Sequence, residues 1–420
     1  MNRKRKVRWA RFLGPGLIAG ASDDDPSGIA TYSQAGAQFG FAMLWTVVFT
    51  WPFMVAIQLI AAHIGRVTGA GIMGNIKTIY PRWIVMALTS LLVIANTINI
   101  AADLAAMGEA LKLVVGGGQH GHALVFGVVC IVLQIFIPYR QYAPILRWLT
   151  LSLLAYVATA FTVKVPWAEA LRQTLWPSLQ WSADYLLVVV AVFGTTISPY
   201  VFFWQASQEV EEMHQSRPHR PLKDLKRGGN SELVRMEWDT LIGMAASNIV
   251  AFFIILTTAA TLHAAGLTNI ATSAQAAEAL RPLAGELTFL LFALGIIGTG
   301  LLAVPVLAAS AAYAVGETFG LRSTLEAKPG EAKGFYGVIL AATLIGVIID
   351  FTPLDPIKML FWSAVINGVI AIPIMAVMML LVTNKRVMGR FTASPLLAIG
   401  GWAATAAMLA VVAALLWTIR

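Results

Sequence analysis

Runs of about 20 apolar residues, the length an α-helix needs to cross the hydrocarbon of a bilayer, recur from one end of the chain to the other. Hydrocarbon offers no hydrogen bonds to a backbone, so runs of this length and number must be helices. Charge agrees with hydropathy. Only 12% of the 420 residues are charged and 58% are hydrophobic, whereas a soluble domain carries charge at about a quarter of its positions. So little charge cannot clothe a water-soluble core. The sequence therefore specifies an all-α, polytopic integral membrane protein whose environment is the lipid bilayer.

Eleven spanning segments can be placed, near 12–35, 41–65, 83–113, 122–138, 144–164, 183–213, 236–264, 286–317, 335–350, 356–383 and 394–419. Residues 1–11 form a basic tail, 12–383 a ten-helix core with halves 12–164 and 183–383, and 394–419 an eleventh helix. Basic residues test this layout, because cytoplasmic connections carry an excess of Lys and Arg. With the N-terminus in the cytoplasm, 23 of the 29 basic residues fall inside; Lys112, Lys164, Arg172, Arg281, Lys358 and Arg420 fall outside. The C-terminus is then external, in a membrane read as a bacterial plasma membrane. The net charge of +8 sits in these short connections, which excludes a nucleic-acid partner and points to membrane orientation. The single cysteine, Cys130, rules out an intrachain disulfide.

Two segments break the rule that a spanning helix is continuously apolar. The first holds Ser22-Asp23-Asp24-Asp25-Pro26-Ser27-Gly28 in mid-membrane, and the sixth holds Gly194-Thr195-Thr196-Ile197-Ser198-Pro199-Tyr200. A proline ring removes one backbone donor and clashes with the preceding turn. Segments one and six correspond in a five-plus-five arrangement. Interrupted helices in corresponding positions mark an inverted-repeat transporter with its site at the midplane.

Asp25 is the leading candidate, since a carboxylate at the bilayer centre is costly and marks a pathway or a site. Beside a helix break it lies among freed carbonyls, the oxygen donors that a hard cation takes. If the three aspartates were instead a solvated loop, Phe12 to Ala21 would be too short to span. Three adjacent carboxylates cannot all face one ion, so Asp23 and Asp24 are assigned to an outer vestibule that attracts cations. Pro199 frees carbonyls from about Thr195 and Thr196, and Ser198 adds a hydroxyl, although a simple kink remains an alternative. Asn96, Asn99 and Asp103 share one helical face and could line a pathway; for the two asparagines bonding between helices is the favoured role, and for Asp103 a functional one. Asn367 is either a ligand or packing glue. The histidines are scattered, so no transition-metal cluster is expected.

Gly14-Pro15-Gly16 followed by Asp25-Pro26-Ser27-Gly28 resembles the first-helix signature of the Nramp (natural resistance-associated macrophage protein) family, Gly-Pro…Asp-Pro-Gly-Asn. Ile57-Gln58 and Gly65-Arg66-Val67-Thr68-Gly69 are similar to the end of that family's second helix. Ala102-Asp103-Leu104-Ala105 resembles its third-helix Thr-Asp-Leu-Ala, and Ser198-Pro199-Tyr200 its sixth-helix Met-Pro-His. The resemblance spans nearly the whole chain. It implies a LeuT-like fold of two inverted five-helix repeats, discontinuous helices 1 and 6, and a divalent metal bound between them. It implies a transporter and not an enzyme, with the cation as cargo and no cofactor.

The departures carry the finer expectation. Gly28 stands where the family has a metal-binding Asn, Ser198 where it has the Met, and Tyr200 where it has the His. Ala106 and Asn96 stand where acidic residues are usual. A thioether favours softer metals such as Mn²⁺ and Fe²⁺, whereas an all-oxygen site suits an ion that keeps its waters. The pattern resembles the divergent Nramp-related magnesium transporters. The resulting expectation is alternating-access uptake of partly hydrated Mg²⁺, with poor discrimination against Mn²⁺ and no proton coupling. Asp25, the carbonyls of Ser22 and Thr195, Ser198, Tyr200 and Asn367 would hold the ion. Proton-coupled Mn²⁺ or Fe²⁺ uptake is the closest alternative; a non-transporting sensor and a sodium-coupled amino-acid carrier are more distant ones.

Overall fold

A computed structural model describes residues 14–137, 141, 146, 148–215, 220–225 and 228–419. The basic tail 1–11 lies outside the described residues, as do Arg140, Arg147, Arg217, Lys226, Arg227 and Arg420. Every regular element among the described residues is helical. The principal helices are α1 (Pro15–Asp23), α2 (Pro26–Phe39), α3 (Leu44–Thr68), α4 (Ile72–Ile79), α5 (Arg82–Val115), α6 (Gln119–Phe136), α7 (Leu154–Thr162), α8 (Trp167–Leu175), α9 (Ala183–Thr196) and α10 (Pro199–Gln215). They continue as α11 (Asn230–Thr258), α12 (Thr288–Phe319), α13 (Lys333–Asp350), α14 (Pro356–Val382) and α15 (Pro395–Thr418).

Local chemistry sets several of these boundaries. Proline begins α1, α2, α10, α14 and α15, the position where its missing N–H costs nothing. Asp355 caps α14 through the amides of Ile357 and Lys358, and Ser394 caps α15 through that of Leu397. Among the described residues, nine helical stretches are long and apolar enough to cross a membrane. The count is ten if Trp148–Thr162 and Trp167–Leu175, bent by 118°, form one span. One stretch, Pro26–Thr68, is divided at Gly40, whose φ of 59° and ψ of −140° end α2. Helix α1 precedes α2, so each of the eleven segments read from sequence has a helical counterpart.

Two elements depart from that reading. The connection 165–182 contains α8, a short helix with polar Glu169, Arg172 and Gln173 and exposed Trp167 and Leu171. Nine residues are too few to span, but rings at Trp167, Trp176 and Trp181 suit the membrane–water interface. The seventh segment starts six residues earlier than expected, at Asn230, and ends in a π-helical turn at Ala259–His263.

Packing shows the two-fold plan. Helices α5 and α12, the third of each half, make the largest helix pair. The first span (α1 and α2) lies on α11, as the sixth span (α9 and α10) lies on α3. Glycines permit both close approaches. A Cβ on Gly20 would sit 2.3 Å from the Gly243 carbonyl oxygen, and one on Gly65 would sit 2.2 Å from that of Ala206. Small residues are what draw helices together where lipid tails are as apolar as side chains. The two broken spans thus meet in the middle of the bundle, held by unbroken neighbours.

Candidate functional site

Both breaks follow from one property of proline. In a continuous helix the N–H of residue i bonds the carbonyl of residue i−4, and proline has none to give. Pro26 therefore frees the carbonyl of Ser22, and Pro199 frees that of Thr195. The structure shows where these carbonyls turn. The Tyr200 hydroxyl donates to the Ser22 carbonyl at 2.9 Å, and the Ser198 hydroxyl donates to the Thr195 carbonyl at 2.7 Å and to that of Gly194 at 3.0 Å. Each freed carbonyl is thus met by a hydroxyl of the sixth span. The C-terminal ends of α1 and α9 converge here, and such ends carry partial negative charge.

Asp25 occupies the N-cap of α2. Its Oδ1 accepts from the Gly28 amide at 2.8 Å and the Ser27 hydroxyl at 2.6 Å. Its Oδ2 accepts from Asn99 Nδ2 at 2.8 Å and, at 3.4 Å, from the Tyr200 hydroxyl. One carboxylate thus ties together α2, the unbroken α5 and the start of α10. Asp25 is 1% exposed. No Lys or Arg among the described residues pairs with it, or with Asp23, Asp24 or Asp103. Buried carboxylates without a basic partner require positive charge from elsewhere, as a cation or a proton.

Asp25, Ser22, Tyr200 and Asn99 form one hydrogen-bonded group, Ser198 and Thr195 bond to each other on the adjoining turn, and Gly28 lies between the two sets. A Cβ on Gly28 would stand 3.3 Å from Thr195 Oγ1. Thr195 Oγ1 itself is buried without a partner. Asp103, on α5, is fully buried with both carboxylate oxygens unpartnered, close enough to act electrostatically on Asp25 and Tyr200. Asn367 is buried on α14 with its Nδ2 unpartnered, beside Gly368, whose backbone lies against Gly194.

One expectation changes. Asp23 and Asp24, read as vestibule carboxylates, are 2% and 7% exposed; Ser247 of α11 donates to both, at 3.1 and 2.9 Å. Both meet the packed α1–α11 contact through Ser247, and Asp23 remains close enough to act electrostatically on Tyr200. Asn96 has the inter-helix role favoured for it: its Nδ2 donates to the Leu307 carbonyl and Ser310 Oγ of α12 at 2.9 and 2.7 Å. It binds the α5–α12 pair together, whereas Asn99, one turn on, reaches the site.

Sequence reasoning missed Ser27, Tyr32 and Ser247. The Tyr32 hydroxyl lies 3.0 Å from Thr196 Oγ1 and links α2 to the end of α9. A capping signal was available for Ser27 and Gly28, because Asp immediately before Pro is a typical N-cap followed by N1. Nothing local in the sequence points to Ser247.

Among the described residues no three His, Cys, Asp or Glu side chains gather closely enough to hold a metal ion. What the arrangement offers is one carboxylate, two proline-freed carbonyls and neutral hydroxyls. That is a shell of oxygens with a single negative charge.

A family model described as natural resistance-associated macrophage protein-like matches residues 16–418. The divalent metal cation transporter MntH of Erwinia tasmaniensis is 31% identical over 306 residues, covering 71% of this chain and 70% of that protein. Among solved structures, the Eremococcus coleocola manganese transporter superposes with a TM-score of 0.73 at 15% identity, over 100% of this chain and 96% of that one. Mhp1, a nucleobase-cation-symport-1 family transporter in a closed conformation with bromovinylhydantoin bound, gives 0.53 at 14% identity, over 97% and 92%.

Proposed function

The chain belongs to the Nramp family, and from that premise we propose that it carries partly hydrated Mg²⁺ across the membrane by alternating access, without proton coupling. As a member of that family it is a multi-pass divalent metal transporter and not an enzyme, and the cation is its cargo. The observation that carries the finer reading is the all-oxygen shell around Asp25. Mg²⁺ takes oxygen ligands, dehydrates reluctantly and is typically held by one or two carboxylates with waters retained. A thioether would favour softer first-row metals, and Ser198 occupies that place with its hydroxyl on the Thr195 carbonyl.

Asp25 is the anionic ligand in this reading. The Ser22 and Thr195 carbonyls, Ser198 and Tyr200 are neutral donors, and Asn367 acts through water. Asn99 positions the carboxylate. A cation arriving here competes with the Tyr200 and Ser198 hydroxyl protons for the two freed carbonyls, which a hydroxyl rotation resolves. Asn96 and Ala106 supply no ionisable group for a proton path. One observation favours the second reading, proton-coupled Mn²⁺ or Fe²⁺ uptake: Asp103 is buried with both oxygens unpartnered.

Purified protein in liposomes tests the reading. Wild type should take up Mg²⁺, and Asp25→Ala should abolish uptake while remaining folded and inserted. Undiminished uptake by folded Asp25→Ala would refute the site. The division of basic residues supports a cytoplasmic N-terminus and an external C-terminus. Reporters fused at the two ends should therefore fall on opposite faces, and finding both on one face contradicts eleven spans.

A further inference from the structure

Helix α10 carries a second set of oxygens beyond the break. Gln205, Glu209 and Glu212 recur at i, i+4 and i+7, which is one helical face. Each has a buried oxygen with no hydrogen-bond partner: Gln205 Oε1, Glu209 Oε2 and Glu212 Oε2. Gln205 and Glu209 are 0% and 1% exposed. The Gln205 Nε2 donates to Glu209 Oε1 at 3.3 Å, so its orphaned amide oxygen stands at the carboxylate. An unsatisfied buried acceptor is costly, and three on one face require an explanation.

The surroundings add charge. Glu209 is acted on by Glu212, Arg66, Arg235 and Asp239. Glu232 bridges the two guanidinium groups, at 2.8 Å from Arg66 and 3.6 Å from Arg235, and Arg235 also pairs with Glu212 at 2.7 Å. The two guanidinium groups are thus taken by Glu232 and Glu212, and among the described residues Glu209 has no basic partner at ion-pair distance. Asp239 accepts from the amides of Gly14 and Gly16 at 3.1 and 2.7 Å, placing this cluster at the N-terminal end of α1. Helices α1 and α10 therefore both run from the Asp25 site to the cluster. Glu209 lies nine residues past Tyr200, about 14 Å along the helix.

We propose that Gln205 and Glu209, with Glu212 one turn on, form a second cation station that receives the hydrated divalent ion on the cytoplasmic side of Asp25. This rests on the transport reading above. One carboxylate and one amide oxygen hold an ion through its waters, weakly enough to release it. The rival role for Glu209 is an ion pair with Arg66, whose Nη1 is also buried without a partner.

Two measurements on the full chain decide. In liposomes, Glu209→Gln should lower the maximal Mg²⁺ uptake rate about tenfold, the scale of a lost contact to a bound ion, with the half-saturating concentration unchanged. Gln205→Leu, which alters no charge, should act in the same direction. In detergent, electron paramagnetic resonance with Mn²⁺ as the probe should find one weakly held ion on Asp25→Ala and none on Asp25→Ala combined with Glu209→Gln. No Mn²⁺ on the single variant, or equal Mn²⁺ on both, overturns the station and leaves the Arg66 pair. Absence of uptake by wild type would instead refute the transport reading, whereas the resonance experiment decides the station by binding alone.

Discussion

The two helix breaks share a backbone and differ in side chains. Pro26 and Pro199 each free the carbonyl four residues earlier, and each is followed by a new helix. The first break places a carboxylate at the N-cap of its second half-helix. The second has Ser198 immediately before its proline, and its hydroxyl turns back onto Thr195. Proline sets the geometry in both, and the neighbouring residue sets the charge. The site that results has one carboxylate at its centre, contributed by the first span, and neutral oxygens contributed by the second. That asymmetry suits a cation retaining part of its water shell better than one that must be stripped.

Changes confined to one break should therefore have unequal effects. The largest after loss of Asp25 itself is expected at Asn99, which holds the carboxylate by a 2.8 Å hydrogen bond. Asn99→Ala should raise the half-saturating Mg²⁺ concentration about 10- to 100-fold, the usual scale for removing a group that orients a metal ligand. Concentration-dependent uptake measures it, and an unchanged value would mean that Ser27 and Gly28 alone orient Asp25. A smaller effect is expected from changing the neutral side. Ser198→Met with Gly28→Asn adds a soft donor and an amide beside Asp25, and competition uptake should shift toward Mn²⁺. Gly28 has little spare room, with Thr195 Oγ1 3.3 Å from an added Cβ, so that hydroxyl must give way. A folded double variant that still transports with unaltered preference would place selectivity in the wider cavity.

The same contrast explains what was legible in the sequence. Asp25, Ser22 and Thr195 could be read because cost and chemistry are local: a carboxylate in hydrocarbon, and two prolines with their i−4 carbonyls. Segment ends at proline and at Asp or Ser caps were equally local. Asp23 and Asp24 were misplaced because their environment is Ser247, 223 or more residues away, and only the α1–α11 contact makes them neighbours. Asn96 and Asn99 look alike in sequence, yet one turn of α5 sends the first to Leu307 and Ser310 and the second to Asp25. The Gln205, Glu209 and Glu212 face was present as an i, i+4, i+7 pattern. Its meaning depended on finding the oxygens buried and unpartnered, which a pattern cannot show.

The central claim is that a one-carboxylate, all-oxygen site carries Mg²⁺ without a proton. The most direct test loads wild-type protein into liposomes containing a pH indicator and adds Mg²⁺ and Mn²⁺ in separate experiments. Uptake of Mg²⁺, weak discrimination against Mn²⁺, and an interior pH that does not fall as metal enters are the expected results. Uptake of Mn²⁺ with exclusion of Mg²⁺, accompanied by acidification of the interior, would contradict the account and assign Asp103 to a proton path.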